Sequence, residues 1–271
     1  SSDLQADYEC GVICQMQFCG YFLVVADYIN WAKAHGVMVG PGRGSAAGAM
    51  VAYAMGITEL DPLEHGLIFE RFLNPERVSL PDIDVDFDPD GRGRVLDYVG
   101  EKYGRDKVAQ CVIYGTIKTK QALKDSARIM GYDFSVGDKI TKALPPAQTG
   151  GKDIPLHDIF DPSAKRYAEA REFRELYDSD PDAKRITDEA MGIEGLIRQT
   201  GVHACATIMG SEPITNTSPL LERTDGTVTT TLEYHTCETL GLVKMDFLGL
   251  SNLTVIRDTL NKIGRASCRE R

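Results

Sequence analysis

Asp82, Asp84 and Asp86 stand two residues apart in the run Leu80-Pro81-Asp82-Ile83-Asp84-Val85-Asp86-Phe87. In a β-strand, residues i, i+2 and i+4 point to one face. The three aspartates then form a row of carboxylates, with Ile83, Val85 and Phe87 buried behind them. Like charges this close repel, and a strand built for stability alone would avoid them. A divalent cation relieves the repulsion, because hard cations such as Mg²⁺ prefer carboxylate oxygen. The plain alternative is an edge strand with a solvated acidic face.

A second stretch with chemical content lies about forty residues upstream. Val37-Met38-Val39 predicts a short strand and Gly40-Pro41-Gly42-Arg43-Gly44-Ser45 a loop. Ala46 to Met55 predicts a tightly packed helix ending near Gly56. A glycine-rich loop feeding a helix N-terminus offers backbone N–H groups and a favourable dipole to an anion. Arg43 adds a fixed positive charge, and Ser45 can cap the helix or donate to a phosphate oxygen. No Gly-Lys-Ser/Thr ends the loop, so it is not a Walker A motif. The third glycine of a dinucleotide fingerprint is also missing. A structural Gly-Pro turn explains the loop equally well by itself. A phosphate loop and a carboxylate row on neighbouring strands are, together, the parts needed for two-metal phosphoryl or nucleotidyl transfer.

The elements that must position these groups follow from periodicity and punctuation. Tyr21 to His35 predicts a helix stopped by Gly36. Leu63 to Leu73 predicts another, ended by Asn74-Pro75, and Arg94 to Tyr103 a third, closed by Gly104. Val108 to Tyr114 predicts a strand. A mostly helical stretch then runs from about Thr116 to Thr200, with a loop at Leu144 to Gly151. Strands are predicted again over Ala204 to Met209, Thr227 to Tyr234 and Leu242 to Phe247. A β–α pattern that is interrupted by helices and then resumes predicts an α+β core with an inserted helical subdomain.

The runs GYFLVVADYINWAK, GPGRGSAAG, FERFLNPERVSLPDIDVDF, YGT, GVHACATIMG and GLVKMDFLGL occur in order between about Tyr8 and Leu260. They resemble the alpha subunits of bacterial replicative DNA polymerase III, the C family of DNA polymerases. The resemblance implies an α+β fold with a DNA-polymerase-beta-like nucleotidyltransferase palm, a mixed sheet with helices, and an inserted, mostly helical thumb. The palm would take 1–115 and 201–258, the thumb 116–200, and 259–271 would begin the fingers. It implies an enzyme, a DNA-directed DNA polymerase joining deoxynucleoside triphosphates to a primer 3′-hydroxyl with two Mg²⁺ ions. Primer-template DNA would be its partner, with a sliding clamp and other replisome subunits in the longer protein, in the cytoplasm and away from any membrane.

The same resemblance assigns roles. Spacing alone does not separate Asp82/Asp84 from Asp84/Asp86 as a metal pair. The resemblance selects Asp82 and Asp84, leaving Asp86 either structural or a support to the ligands, and makes Asp246 the third catalytic and metal-binding carboxylate. Lys244 would share the strand face of Asp246 and neutralise triphosphate charge. Arg43, Gly44 and Ser45 match the phosphate loop, and Arg71 an arginine near the triphosphate; the plain alternative for Arg71 is a helix salt bridge. His203 stays outside the catalytic set. Lys120, Lys124 and Arg128 fall at i, i+4 and i+8 of a predicted helix, one basic stripe for duplex DNA or a solvated face paired with Asp125.

Composition sets bounds. The chain has 271 residues, 42% hydrophobic and 26% charged, ordinary for a globular protein. A net charge of −10 argues at first against a nucleic-acid partner, but the acid is concentrated between Asp153 and Glu189. The seven cysteines form no C-x-x-C pair, which predicts reduced, structural thiols, with Cys10 and Cys14 buried on a shared helix face. The polar start, without Met, reads as the interior of a longer protein lacking here its phosphoesterase-like domain, fingers, and clamp- and single-strand-binding regions. Residues from about Ile263 onward read like translated sequencing adapter and are set aside. Two other functions remain open: a non-templated nucleotidyltransferase, and a non-catalytic phosphate- or DNA-binding module.

Overall fold

The computed structural model describes residues 2–76, 81–148, 151 and 153–269, with the backbone alone for 264–269. The chain divides into two compact units, Ser1–Val112 with Val202–Arg271, and Ile113–Gly201. In chain order the first unit begins with helices α1 (Ser2–Gln15), α2 (Cys19–Ala34), the short α3 (Met50–Ala54), strand β1 (Asp84–Phe87) and helix α4 (Pro89–Tyr103). Strand β2 (Val108–Thr116) carries the chain into the second unit, which holds α5 (Thr119–Ile129), α6 (Phe134–Lys142), α7 (Leu156–Phe160), α8 (Arg171–Ser179) and α9 (Pro181–Ile193). Strand β3 (Ile197–Met209) returns it. Strands β4 (Leu220–Glu222) and β5 (Val228–Thr230), helix α10 (Tyr234–Thr239), strand β6 (Val243–Gly249) and helix α11 (Ser251–Arg269) follow.

The strands form one mixed sheet in the order β1-β6-β3-β2-β5-β4. β1 lies parallel to β6, with Asp84 opposite Asp246. β3 runs antiparallel to β6, with Ala206 opposite Asp246. The alternation read from sequence is present in β1: Val85 and Phe87 are buried, Asp84 and Asp86 half-buried. Phe87 and Phe247 stack at 5.8 Å, and the Tyr28 ring packs on Phe247 at 4.8 Å. Tyr28 belongs to α2, whose buried residues Phe22, Val25, Ala26, Ile29 and Ala32 recur at helical spacing. The carboxylate strands therefore rest on an apolar floor supplied by α2, and α4 adds Val95 and Val99 to it. The second unit has its own core around Leu123, Ile140, Leu156, Phe173 and Ile186.

Several expected elements take another form. The helix predicted over Ala46 to Met55 is two short pieces: a 3₁₀ turn at Gly44–Gly48, then extended Ala49, then α3. The cause is a close crossing. A Cβ on Gly48 would sit 2.9 Å from the Ile68 carbonyl oxygen, so neighbouring backbone sets the path there. The helix predicted over Leu63 to Leu73 is a series of turns with a single 3₁₀ turn, Phe69–Arg71, because Gly66 adopts a left-handed φ of 60°. The strand expected over Thr227 to Tyr234 stops at Thr230, and Tyr234 opens α10. α4 starts earlier than expected, because Asp88 caps it, accepting from the Gly91 N–H at 2.9 Å, and Pro89 occupies its first turn. Cys10 and Cys14 are exposed free thiols, since the buried face of α1 is Glu9, Val12 and Ile13; Cys111 and Cys237 are the buried ones. No single helix among the described residues is long and apolar enough to cross a membrane.

Candidate active site

Asp82, Asp84 and Asp246 come together although 162 residues separate the first from Lys244, the neighbour of the last. One carboxylate oxygen from each lies within 4.8 Å of the others. Two of the three are fixed by sheet register, Asp84 against Asp246 across the parallel β1/β6 pair. Asp82 lies just before β1, exposed at the rim.

The electrostatics of this cluster are incomplete within the protein alone. Asp246 is 6% exposed and its Oδ1 has no hydrogen-bond partner among the described residues. Lys244 Nζ lies 2.5 Å from Asp246 Oδ2 and 3.2 Å from Asp82 Oδ1. Burial works against the lysine charge, but these two carboxylates outweigh it and hold the Lys244 pKa above its ordinary value. One cation is thus divided between two anions, and the cation nearest Asp84 is Arg43, whose Nε stands 3.9 Å from its Oδ2. Burial, with the charges of Asp82 and Asp246, raises the Asp84 pKa above the usual carboxylate value; Arg43 and Lys244 oppose this. A buried carboxylate oxygen without a partner is costly. Three oxygen donors with this deficit fit a hard divalent cation.

Asp86, the third member of the sequence row, faces a different partner. Its Oδ1 receives Arg43 Nη1 at 3.0 Å, while Arg43 Nε is 3.9 Å from Asp84. The Asp86 carbonyl also accepts the Gly40 N–H at 2.8 Å. Asp86 therefore ties the glycine loop to β1. Gly44 and Ser45 line a cavity of about 340 Å³ with Gly48, Ile68 and Arg71. The Arg71 side chain has no ion pair or hydrogen bond among the described residues, so the alternative of a helix salt bridge does not apply to it there. Gly44 has a left-handed φ of 62°, which requires glycine for ease. The helix-dipole part of the anion argument fails. α3 has five residues, and the Val51 N–H in its first turn already donates to Glu9 Oε2 at 2.9 Å.

Lys120, Lys124 and Arg128 do lie along α5, whose buried residues are Thr119, Ala122, Leu123, Ser126 and Ala127. Each has a local carboxylate: Lys120 with Asp153 at 2.8 Å, Lys124 with Asp138 at 2.7 Å, Arg128 with Asp125 at 3.2 Å. His203 accepts the backbone N–H groups of Cys205 and Ala206 on Nδ1, at 3.2 and 2.9 Å, a structural role.

Sequence reasoning missed three supports. Buried Glu9 caps α3 from 42 residues away. Buried Asp88 accepts from the Met38 N–H and the Gly91 N–H, both at 2.9 Å, and from Arg257 Nη1 at 2.7 Å. Arg92 donates to the Phe247 carbonyl at 2.7 Å, beside Asp246. None has a local pattern, apart from the Asp88-Pro89 pair that marks a helix start.

The mixed sheet thus presents three clustered carboxylates, beside a glycine loop, that could hold a divalent cation. Residues 2–249 match the family model of the bacterial DNA polymerase III alpha NTPase domain, and the chain belongs to that family. It is 58% identical over 262 residues to the DNA polymerase III subunit alpha of Mycobacterium tuberculosis strain H37Rv, covering 96% of this chain and 22% of the relative. To the same subunit of Thermus aquaticus it is 48% identical over 252 residues, 93% of this chain and 20% of the relative. To that of Aquifex aeolicus it is 45% identical over 263 residues, 93% and 23%. The chain spans about a fifth of the length of the curated relatives it matches.

Proposed function

We propose that this chain carries the catalytic centre of a template-directed DNA polymerase that adds deoxynucleoside triphosphates to a primer 3′-hydroxyl. In this reading the first unit is a polymerase-beta-like nucleotidyltransferase palm and the second a helical thumb. The observation that carries it is the cluster of Asp82, Asp84 and Asp246 within 4.8 Å, with a buried Asp246 oxygen lacking a partner among the described residues. Asp82, Asp84 and Asp246 would hold two Mg²⁺ ions. Such ions, when bound, lower the pKa of the primer hydroxyl and offset charge on the departing pyrophosphate.

The remaining work falls to this chain's own side chains. Arg71, Gly44 and Ser45 bind the triphosphate in their shared cavity, with Arg71 free to form charge-assisted bonds to phosphate oxygen. Arg43, braced on Asp86 and 3.9 Å from Asp84, adds positive charge beside the carboxylates. Lys244 balances the carboxylates and offers its charge to the nucleotide. No side-chain nucleophile is needed. Primer-template DNA runs over the second unit, and the work is done in the cytoplasm alongside a sliding clamp and other replisome subunits.

The test uses a full-length polymerase III alpha subunit carrying this sequence. Asp246→Asn is expected to lower kcat by about 10³-fold, with primer-template affinity close to normal. A variant retaining most of its kcat refutes the assignment.

A further inference from the structure

Asp84 and Asp246 are held by the β1/β6 ladder, but Asp82 is not. It precedes β1, its side chain is 60% exposed, and among the described residues its side-chain hydrogen bonds are those from Lys244 at 3.2 and 3.4 Å, which Asp246 also claims. Something else must set its direction. The next residue, Ile83, is 2% exposed, so its backbone N–H is shut away from water and needs a partner. That partner is the Tyr21 hydroxyl oxygen, which accepts the Ile83 N–H at 2.9 Å.

The bond acts at a sensitive place. The peptide joining Asp82 to Ile83 is planar, so fixing its N–H fixes ψ of Asp82 and φ of Ile83 together. Those two angles aim the Asp82 carboxylate relative to Asp84. Tyr21 can serve as a fixed point because it belongs to α2, anchored through Phe22, Val25 and Tyr28 in the core. Its ring also walls a cavity of about 970 Å³ that reaches Asp82 and Lys244. Burial, opposed in part by the Ile83 bond, and the charges of Asp82, Asp246 and Asp84 push the phenol pKa up, so the hydroxyl stays neutral.

We infer that Tyr21 is a positioning residue for the metal site: through the Ile83 N–H it holds Asp82 beside Asp84 and Asp246. This rests on the carboxylates being the metal ligands. Partners that orient a ligand without touching the metal typically contribute about 10- to 100-fold in metal affinity or activity.

The experiment titrates Mn²⁺ calorimetrically into the 271-residue chain as wild type, Tyr21→Phe and Asp84→Asn. The expected result is loss of binding in Asp84→Asn and about 10- to 100-fold weaker binding in Tyr21→Phe, with the Tyr21→Phe melting temperature lowered modestly because the Ile83 N–H loses its partner. In the full-length polymerase, Tyr21→Phe is expected to raise the Mg²⁺ concentration for half-maximal rate by a similar factor, with primer-template Kd unmoved. A merely structural tyrosine would lower melting too, change DNA affinity and leave the metal constant alone. Wild-type Mn²⁺ binding in Tyr21→Phe, with Asp84→Asn inactive in binding, overturns the role of Tyr21 only. Equal binding by Asp84→Asn and wild type, or none by either, overturns the metal site and the inference with it. If Tyr21→Phe is unfolded at the titration temperature, 3,5-difluorotyrosine at position 21 keeps the shape, weakens the acceptor oxygen, and is read against the same outcomes.

Discussion

The two charged constellations of this chain are built on opposite terms. On α5, Lys120, Lys124 and Arg128 are 46%, 37% and 75% exposed, and each meets a carboxylate within 3.2 Å. In the sheet, the side chains of Asp246 and Lys244 are 7% and 12% exposed, one lysine serves two carboxylates, and an Asp246 oxygen has no partner among the described residues. Exposed pairs are screened by solvent and contribute little either way. Buried charges in excess of their partners are costly, and a fold keeps them when something outside the chain completes them. Charge left unbalanced under burial therefore points to chemistry more strongly than charge density does.

The sharpest way to break that contrast is Asp84→Asn. The folded state raises the Asp84 pKa, so it holds that proton more tightly than the unfolded chain. The stability this group contributes is full below the ordinary carboxylate range and is lost as pH rises through the raised value. At pH 7 the ionised Asp84 is a net cost. Asn removes it, and the melting temperature is expected to rise by about 1–2 °C, the difference shrinking below about pH 4. In the full-length polymerase the same change is expected to lower kcat by about 10³-fold. Mg²⁺ is expected to raise the melting temperature of wild type and to leave that of the variant unmoved. A variant that melts lower at pH 7 would mean the cluster is balanced internally, like the α5 stripe.

Arg71 is a cation without a partner among the described residues, so it tests the same idea with opposite charge. Arg71→Ala is expected to raise the nucleotide KM by about tenfold, the worth of one charged hydrogen bond to phosphate, with no change in melting temperature. Ser45→Ala is expected to act in the same direction and less strongly. Gly44→Val is a poorer probe, because the left-handed φ strains any side chain at that position before a nucleotide arrives. A drop in stability with Arg71→Ala would reveal a structural partner instead.

What the sequence made readable follows the range of the forces involved. The alternation in β1, the apolar stripe of α2 and the helical character of the second unit are local patterns, and the structure carries them. The Ala-rich run after the glycine loop has strong helical propensity, yet the backbone at Ile68 overrides it at Gly48. Glu9 and Asp88 act on backbone groups 42 and 50 residues away, and Tyr21 on Ile83 at a separation of 62. Such contacts leave no trace in spacing. The meeting of Asp246 with Asp82 and Asp84 depends on strand register between β1 and β6, which entered through family resemblance and not from the residues themselves.

The smallest effect is expected from the α5 stripe. Duplex DNA releases counterions when cations neutralise its phosphates, and the salt slope of binding falls by about 0.9 for each phosphate that a removed cation no longer neutralises. Three free cations removed together would flatten the slope by nearly three. Here each cation must first leave Asp153, Asp138 or Asp125, and those carboxylates then face the same phosphates. Replacing Lys120, Lys124 and Arg128 with Ala in the full-length polymerase is therefore expected to weaken primer-template binding a few-fold across sequences and to flatten the slope by about one. Replacing Asp138 and Asp153 with Asn frees the lysines and is expected to strengthen binding at low salt. If the Ala variant keeps the wild-type slope and the Asn variant gains nothing, α5 is a solvated face whose charges answer only to one another.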